Sequence, residues 1–298
     1  MKKISLILPV YNEKDTIEYF INQFLLFFNQ TIDQIKYSYE LIFINDGSTD
    51  QTAEILTQVF HQYEHINVLH FSRNFGKENA LFAGLDNAIG DIIIPIDVDL
   101  QDPLHVISAM LNKYEEGYDV VLAKRVNRNK DSYLKKKSAE LFYNFYNKIA
   151  EVKLEPNVGD FRLMDRKVVD EILNLQENQL FMKGLFNWVG FETTVVEYSR
   201  EERFAGETKF NFFKLWKLAV EGFTSFSTFP LKVWTSLGSL IALFSFIFGF
   251  KIIIEKLFFG IDAHGYASLI CAITMLGGIQ LIGIGVLGEY IGRIYMES

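Results

Sequence analysis

The stretch IIIPIDVDLQDP, residues 92–103, joins an apolar run to two aspartates spaced i, i+2. The run Ile92–Ile96 is apolar throughout, which is typical of a strand covered on both faces of a parallel sheet. Asp97 and Asp99 follow at the point where this strand ends, and ligands of open α/β sheets bind beyond the carboxyl ends of the strands. Carboxylates in that position can hold a hard divalent cation, which in turn neutralises a diphosphate. The stretch therefore predicts a parallel α/β sheet with a cation-dependent site at its edge.

The same alternation of apolar strands and helical segments extends through the first 125 residues. We predict further strands at Ile4–Val10, Leu41–Asn45, Asn67–Phe71 and Val120–Ala123, and helices at Asp15–Phe28, Thr52–Tyr63, Glu78–Ala88 and Leu104–Tyr114. Asp102 before Pro103 is typical of a helix cap. Beyond residue 125 the pattern is less regular, with helices predicted at Tyr133–Ala150 and Arg166–Leu175 and a strand at Glu192–Tyr198. The series predicts a doubly wound α/β domain.

The overall composition excludes two classes of protein. The chain has 298 residues and a net charge of −8, which argues against general nucleic-acid binding, because a basic face supplies most of that affinity. The single Cys271 cannot form an internal disulfide, so a reducing compartment or a membrane suits the chain better than secretion does.

The end of the chain changes character. Two apolar runs, at about residues 233–254 and 267–290, each approach the roughly 20 residues needed to cross a bilayer. They predict a transmembrane hairpin over residues 229–298, with buried core helices as the alternative. Aromatic residues and lysines interleave in residues 210–228, which favours an amphipathic helix in the membrane interface over a plain packing helix. Basic residues before the first span and after the second place the domain of residues 1–209 and both termini in the cytoplasm, on a multi-pass protein of the plasma (inner) membrane.

Five further segments, together with the acidic stretch, are similar to those of a known family. They are LPVYNE (residues 8–13), NDGSTD (45–50), SRNFGK (72–77), RFAGETK (203–209) and GVLGEYIGR (285–293). With them the chain resembles the glycosyltransferase family 2 enzymes of GT-A fold. Within that family it resembles the polyprenyl-phosphate glycosyltransferases, which include dolichol-phosphate mannose synthases and bactoprenol glucosyltransferases. The similarity covers essentially the whole chain.

The resemblance implies a donor site for a nucleotide-diphosphate sugar. Residues of this site that would bind the nucleotide are Pro9, Tyr11, Glu13, Asp46, Lys77, Asp97 and Val98, with Asp46 accepting hydrogen bonds from the base. Mg²⁺ or Mn²⁺ on the diphosphate would be held by Asp97, Asp99 and Gln101. The family often has an aspartate where this chain has Asn45, which leaves base recognition less defined. Taken alone, the segment of residues 45–50 would also suit a turn that leads into a helix.

The resemblance implies a basic acceptor site for the phosphate of a polyprenyl lipid, with contacts from Arg125, Arg162, Arg203 and Lys209. Arginine offers a bidentate fork to phosphate, and Arg203 and Lys209 precede the predicted interfacial helix. The segment Gly159–Met164 resembles the family segment that closes over this site. Its Asp160, with Asp97 and Asp99, completes the candidate catalytic set, either orienting the acceptor or acting as a base. A phosphate oxygen is already ionised at neutral pH, so a base is hardly needed.

Together these features predict an inverting, metal-dependent transfer of a sugar to undecaprenyl or another polyprenyl phosphate. UDP-glucose is the first choice of donor, and GDP-mannose, UDP-N-acetylglucosamine and an aminoarabinose donor stay open. A polysaccharide synthase and a catalytically inactive membrane scaffold are the rival interpretations. Gly277 and Gly278 suit close helix packing, including packing between subunits of a homo-oligomer. Two spans are too few for a translocation path within one subunit, so we expect a separate flippase.

Overall fold

The computed structural model describes residues 1–126, 157–175, 186, 190–199 and 265–297, together with scattered positions between 234 and 258. The strands are β1 Lys2–Val10, β2 Tyr37–Asn45, β3 Ile66–His70, β4 Ile92–Pro95, β5 Val120–Arg125, β6 Val158–Asp165 and β7 Thr193–Tyr198. The helices are α1 Ile17–Thr31, α2 Thr52–Gln62, α3 Lys77–Asn87, α4 Val106–Glu115, α5 Arg166–Asn174 and α6 Tyr266–Glu297. All strands and helices α1–α5 belong to one compact unit, and α6 belongs to a second.

The strands form one seven-stranded sheet in the order β3-β2-β1-β4-β6-β5-β7. Strands β1, β2, β3 and β4 pair in parallel, and β5 pairs in parallel with β7. Strand β6 is antiparallel to both of its neighbours, so among the described strands it alone runs against the others. This topology confirms the predicted α/β domain with a mostly parallel sheet.

Strand β6 was not predicted, although it occupies the middle of the second half of the sheet. Its residues pair with β4 through Ile92 and Asp165 and with β5 through Val121 and Leu163. Because β6 runs in the opposite direction, its first residues lie at the edge where β4 and β5 end. The start of β6, including Asp160, therefore joins the edge at which the parallel strands carry their ligand-binding loops.

The core is built from apolar strand residues covered by helices. Phenylalanines of α1 at i, i+4 spacing form one buried face of that helix. The rings of Phe24 and Phe28 meet the Tyr39 ring edge-on, with centroids 5.1 and 4.6 Å from it. Complete burial of such side chains contributes about 1.5–3 kcal/mol each. This rigid packing holds the strand ends, and hence the loops beyond them, in place.

The predicted membrane segments fall mostly outside the described residues. Residues 210–228 and most of 233–254 are not described, whereas 267–290 lies within the 32-residue helix α6. In the part of the chain that the structure describes, no helix meets the combined length and hydropathy expected of a membrane span. The structure thus supports the α/β part of the predicted architecture and does not show the transmembrane hairpin.

Candidate active site

Three loops interlock at the carboxyl edge of the sheet, after β1, β2 and β3. The backbone N–H of Asn12 donates to Ser48 Oγ at 3.0 Å, and the Asn12 side-chain oxygen accepts from the N–H of Thr49 at 2.8 Å. Asn12 has a φ of 56°, in the left-handed region that asparagine tolerates better than most residues. The N–H of Glu13 donates to Thr52 Oγ1 at 2.9 Å. The loop after β1 is therefore fixed to the loop after β2.

Asp46 connects the second loop to the third. Its carboxylate is buried and accepts from the backbone N–H of Phe75 at 2.7 Å and from that of Gly76 at 3.0 Å. These bonds hold the residues that directly precede helix α3, whose first residue is Lys77. In this structure Asp46 thus fixes the conformation of the loop after β3. Its predicted contact with a base stays a prediction.

Gly47 is where the second and third loops come closest. It has a φ of +64°, and a Cβ atom added to it would lie 2.3 Å from the backbone carbonyl carbon of Arg73. A side chain at this position would be strained by its backbone conformation and would collide with the main chain of the next loop. Glycine is therefore required for the contact between these loops.

An acidic centre lies where the carboxyl end of β4 and the first residues of β6 meet the start of α3. The Lys77 ammonium is 2.7 Å from Asp97 Oδ1 and 2.8 Å from Asp160 Oδ2. Desolvation opposes its charge, but the attraction of Asp160 and then of Asp97 outweighs desolvation and raises the pKa of Lys77 above its ordinary value. The structure thus brings together three residues that were predicted for the site from separate segments.

The turn after β4 buries the second aspartate. Asp99 is 8% exposed, and its Oδ1 accepts from the backbone N–H of Gln101 at 3.1 Å. Between them Leu100 has a φ of 54°, an uncommon value for a leucine. Val98 is buried in the core, so its contribution to a nucleotide pocket is restricted to its main chain. The turn holds Asp97 and Asp99 next to one another at the sheet edge.

These residues fit a divalent cation that is shared with a substrate. Within the described residues, no group of three histidine, cysteine or acidic side chains could enclose a metal by itself. Mg²⁺ is usually held by one or two carboxylates plus substrate phosphates and water. Asp97 and Asp99 supply that number of carboxylates, so the donor set suits a cation that arrives with a diphosphate.

A second cluster, of Asp102, Arg125 and Tyr198, lies beside the acidic centre. The Tyr198 hydroxyl donates a short hydrogen bond to Asp102 and accepts one from Arg125 Nε at 3.0 Å. Arg125 Nη2 is 3.5 Å from Asp102 Oδ1. Burial, and then the charge of Asp102, raise the pKa of Tyr198, which keeps its hydroxyl protonated. Burial would lower the pKa of Arg125, but Asp102 raises it above its ordinary value.

Sequence reasoning missed two members of this cluster. Asp102 was interpreted as a helix cap, but α4 begins only at Val106 and has His105 at its cap position. Tyr198 was predicted only as the last residue of a strand. No local signal identifies either residue, because their contact depends on the pairing of β5 with β7.

Arg162 is a buried cation on β6. It is 2% exposed, its Nη2 donates to the Gly159 carbonyl at 2.8 Å, and its guanidinium lies 4.1 Å from the centre of the Phe186 ring. Burial lowers its pKa to about 10, and the charges of Asp160 and Glu78 only partly offset this. Its Nε and Nη1 atoms have no hydrogen-bond partner among the described residues.

The remaining predicted site residues lie near the start of the chain or beyond residue 200. Pro9, Tyr11 and Glu13 lie at the end of β1 and in the loop after it, as expected for a pocket wall. Glu13 accepts from the Thr16 hydroxyl through its backbone carbonyl at 2.9 Å, and so anchors the approach to α1. Arg203 and Lys209 lie outside the described residues.

Known proteins are similar to this chain in sequence over nearly its whole length. A family model described as "Glycosyl transferase family 2" matches residues 5–173. The bactoprenol glucosyl transferase of Shigella phage SfV is 55% identical over 99% of this chain and 95% of its own. The prophage bactoprenol glucosyl transferase homolog of Escherichia coli K12 is 54% identical, again over 99% of this chain and 95% of its own.

A solved structure matches this chain at lower similarity. It is glucosyl-3-phosphoglycerate synthase from Mycobacterium tuberculosis in complex with Mn²⁺, UDP-glucose and phosphoglyceric acid. Its sequence is 20% identical, the match covers 75% of this chain and 78% of that chain, and the TM-score is 0.48.

Proposed function

The chain belongs to glycosyl transferase family 2, and we propose that it transfers glucose from UDP-glucose to a polyprenyl phosphate, with undecaprenyl phosphate as the first choice. The observation that carries the proposal is the acidic centre, in which Asp97 and Asp160 converge on Lys77 beside Asp99. The near full-length similarity to bactoprenol glucosyl transferases supports both the sugar and the lipid.

On the donor side, the interlocked loops form the nucleotide pocket. Pro9, Tyr11 and Glu13 would line it, Asp46 would accept hydrogen bonds from the base, and Val98 would contribute its main chain. Asp97, Asp99 and Gln101 would hold Mg²⁺ or Mn²⁺ together with the diphosphate. Such a cation, when bound, neutralises the charge that develops on the departing diphosphate.

On the acceptor side, cations position the lipid phosphate. Arg125, Arg203 and Lys209 bind the head group, and Arg162, whose Nε and Nη1 atoms have no partner among the described residues, adds further N–H donors. The ionised phosphate oxygen attacks the anomeric carbon as the bond from that carbon to the diphosphate oxygen breaks. UDP leaves, the anomeric configuration inverts, and polyprenyl-phosphate glucose forms. Asp160 orients the acceptor without taking a proton, because the attacking oxygen carries none. Positioning and leaving-group stabilisation therefore supply most of the catalysis.

We also propose that the reaction takes place at the cytoplasmic face of the plasma membrane. The apolar runs at residues 233–254 and 267–290 would span the bilayer, and residues 210–228 would lie in its interface. The lipid phosphate would then reach Arg203 and Lys209 from the membrane. A separate flippase would move the product across, and the enzyme would work as a homo-oligomer through its small-residue helix faces.

The function is tested by transfer into lipid. Purified full-length protein in detergent is supplied with undecaprenyl phosphate, Mg²⁺ or Mn²⁺, and a panel of labelled nucleotide sugars. We expect UDP-glucose alone to label the organic phase. In a separate experiment, membranes that contain the protein are washed with carbonate, and we expect the activity to remain with the membranes. Labelling by another donor would reassign the sugar. Nucleotide binding without any labelled lipid would favour the inactive scaffold, and activity released by carbonate would contradict the membrane spans.

Arg125 provides a narrower test of the acceptor site. In Tyr198→Phe the Arg125 Nε loses its partner, so the guanidinium is less well oriented while its charge stays. We expect the KM for undecaprenyl phosphate to rise about tenfold, with kcat changed less than the KM, because hydrogen bonds to charged groups are worth roughly 1.5–3 kcal/mol. Steady-state kinetics with varied lipid measures this split.

The matched control for that test is Tyr114→Phe. The Tyr114 hydroxyl donates to Asp165 at 2.7 Å, at the end of β6 opposite to Asp160, so this substitution removes a comparable tyrosine–aspartate hydrogen bond. Its KM for the lipid should stay at the wild-type value. An equal rise in KM in both variants would mean that Tyr198 acts through general stability alone.

A further inference from the structure

Lys77 occupies an unusual place for a lysine. It is the first residue of α3, where the positive end of the helix dipole disfavours a cation. Its ammonium nevertheless lies within 2.8 Å of two carboxylates, one from the turn after β4 and one from β6. The side chain is 43% exposed, so the flexible stem has room to move the ammonium. Among the described residues these two carboxylates hold the ammonium, and a lysine that can leave such partners can exchange them for others.

One of the two carboxylates that hold Lys77 belongs to the proposed cation site. Asp97 is one of the two aspartates that would bind Mg²⁺ or Mn²⁺, and its Oδ1 already accepts the ammonium at 2.7 Å. The formal charge of Lys77, Asp97 and Asp160 together is −1, whereas the two carboxylates without the lysine carry −2. A divalent cation that approaches Asp97 is therefore repelled by the ammonium and finds less negative charge than the carboxylates alone would offer.

We propose that Lys77 is an internal competitor of the divalent cation, and that it moves to the diphosphate when a nucleoside diphosphate binds. This inference rests on the proposed function and deepens it. The free enzyme then binds the cation weakly, because Lys77 neutralises Asp97. A nucleoside diphosphate supplies a new anionic partner for the ammonium and releases Asp97 to the cation. Binding of the two ligands is thus coupled, and each strengthens the other by the same factor.

The experiment measures Mn²⁺ binding directly and needs no turnover. Free Mn²⁺ is followed by electron paramagnetic resonance in titrations of the full-length protein, with and without UDP. For wild type we expect weak binding without UDP and a large gain when UDP is present. For Lys77→Met we expect Mn²⁺ alone to bind about tenfold tighter or more, since removal of a neighbouring unit charge has at least this effect on a divalent ion. The gain from UDP should shrink by a similar factor.

Three further variants control for side effects. Lys77→Arg keeps the charge and should bind Mn²⁺ as weakly as wild type, and Lys77→Gln should repeat the result of Lys77→Met. Lys167→Met removes a similar exposed lysine, whose Nζ lies 2.6 Å from Asp119 Oδ1 at the opposite edge of the sheet. It should leave Mn²⁺ binding unchanged.

One result would contradict the competition between Lys77 and the cation. If Lys77→Met and Lys77→Gln weaken UDP binding but leave the affinity of the free enzyme for Mn²⁺ unchanged, Lys77 is only a diphosphate ligand and the competition is wrong. Because this readout involves neither glucose nor lipid, a failure here leaves the transfer reaction untouched. A failure of lipid labelling, in turn, leaves the competition intact.

Discussion

Replacement of Asp99 by asparagine is expected to lower kcat for lipid glucosylation by about 10²–10³-fold, the usual cost of removing one preorganised group that stabilises developing charge. Asparagine keeps the size of the side chain and can still accept the hydrogen bond from the Gln101 N–H at 3.1 Å. The turn after β4 should therefore persist. What is lost is a negative charge that would hold a cation against the leaving diphosphate.

The measurement is the steady-state rate at saturating UDP-glucose and lipid, over a series of Mn²⁺ concentrations. The loss should lessen as Mn²⁺ rises if Asp99 mainly contributes cation affinity. Asp119→Asn is the control, because Asp119 is a partly buried aspartate that is paired with Lys167 and lies at the opposite edge of the sheet from the carboxyl ends of the parallel strands. A variant Asp99→Asn within tenfold of wild-type kcat at all Mn²⁺ concentrations would remove this residue from the catalytic set.

The second large effect is expected at Gly47. In Gly47→Ala the added Cβ would lie 2.3 Å from the carbonyl carbon of Arg73, in a backbone conformation with a φ of +64°. Left-handed strain costs about 1–2 kcal/mol and overpacking about 1–3 kcal/mol. The free energy of unfolding should fall by roughly 2–5 kcal/mol, and the loops after β2 and β3 should separate. UDP affinity should fall with them.

Gly117→Ala separates strain from collision. Gly117 also has a positive φ, of +105°, but no atom lies within 4 Å of the position of an added Cβ. Its Tm should fall less than that of Gly47→Ala, and its UDP affinity should not change. Thermal unfolding and UDP titration of the two purified variants give the comparison. Similar Tm losses in both would show that the two loops relax apart without cost.

The sequence predicted the regular part of the fold well because its signal is local. Apolar runs marked six of the strands, and helical periodicity marked α1–α5, with boundaries shifted by a few residues. Strand β6 was not predicted because its pattern of polar and apolar residues is ambiguous. Its buried face includes Arg162, a residue type that is seldom buried, and its partners β4 and β5 lie far from one another and from β6 in the chain.

The place of the candidate site residues in the fold could be predicted from the sequence, whereas the contacts between them could not. Asp97 and Asp99 follow a recognisable strand, so their place at the sheet edge could be deduced from the sequence. The ion pairs of Lys77 with Asp97 and Asp160 could not, because they require the antiparallel insertion of β6. The Asp102–Tyr198 hydrogen bond likewise depends on how distant strands pair. Non-local pairing is what local patterns do not encode.

The insertion of β6 also has a consequence for protein engineering. All residues assigned to the nucleotide sugar lie in the chain before α4, although one of them, Lys77, also forms an ion pair with Asp160 of β6. The described residues assigned to the lipid lie in β5 and beyond it. Within the sheet the two halves meet at the short β4–β6 seam, with paired residues Ile92–Asp165 and Ile93–Met164. A recombination point in the turn between α4 and β5, at Gly117, would exchange one half for that of a relative while keeping this seam. Chimeras of this kind offer a route to lipid-linked sugars with a chosen donor and an unchanged carrier.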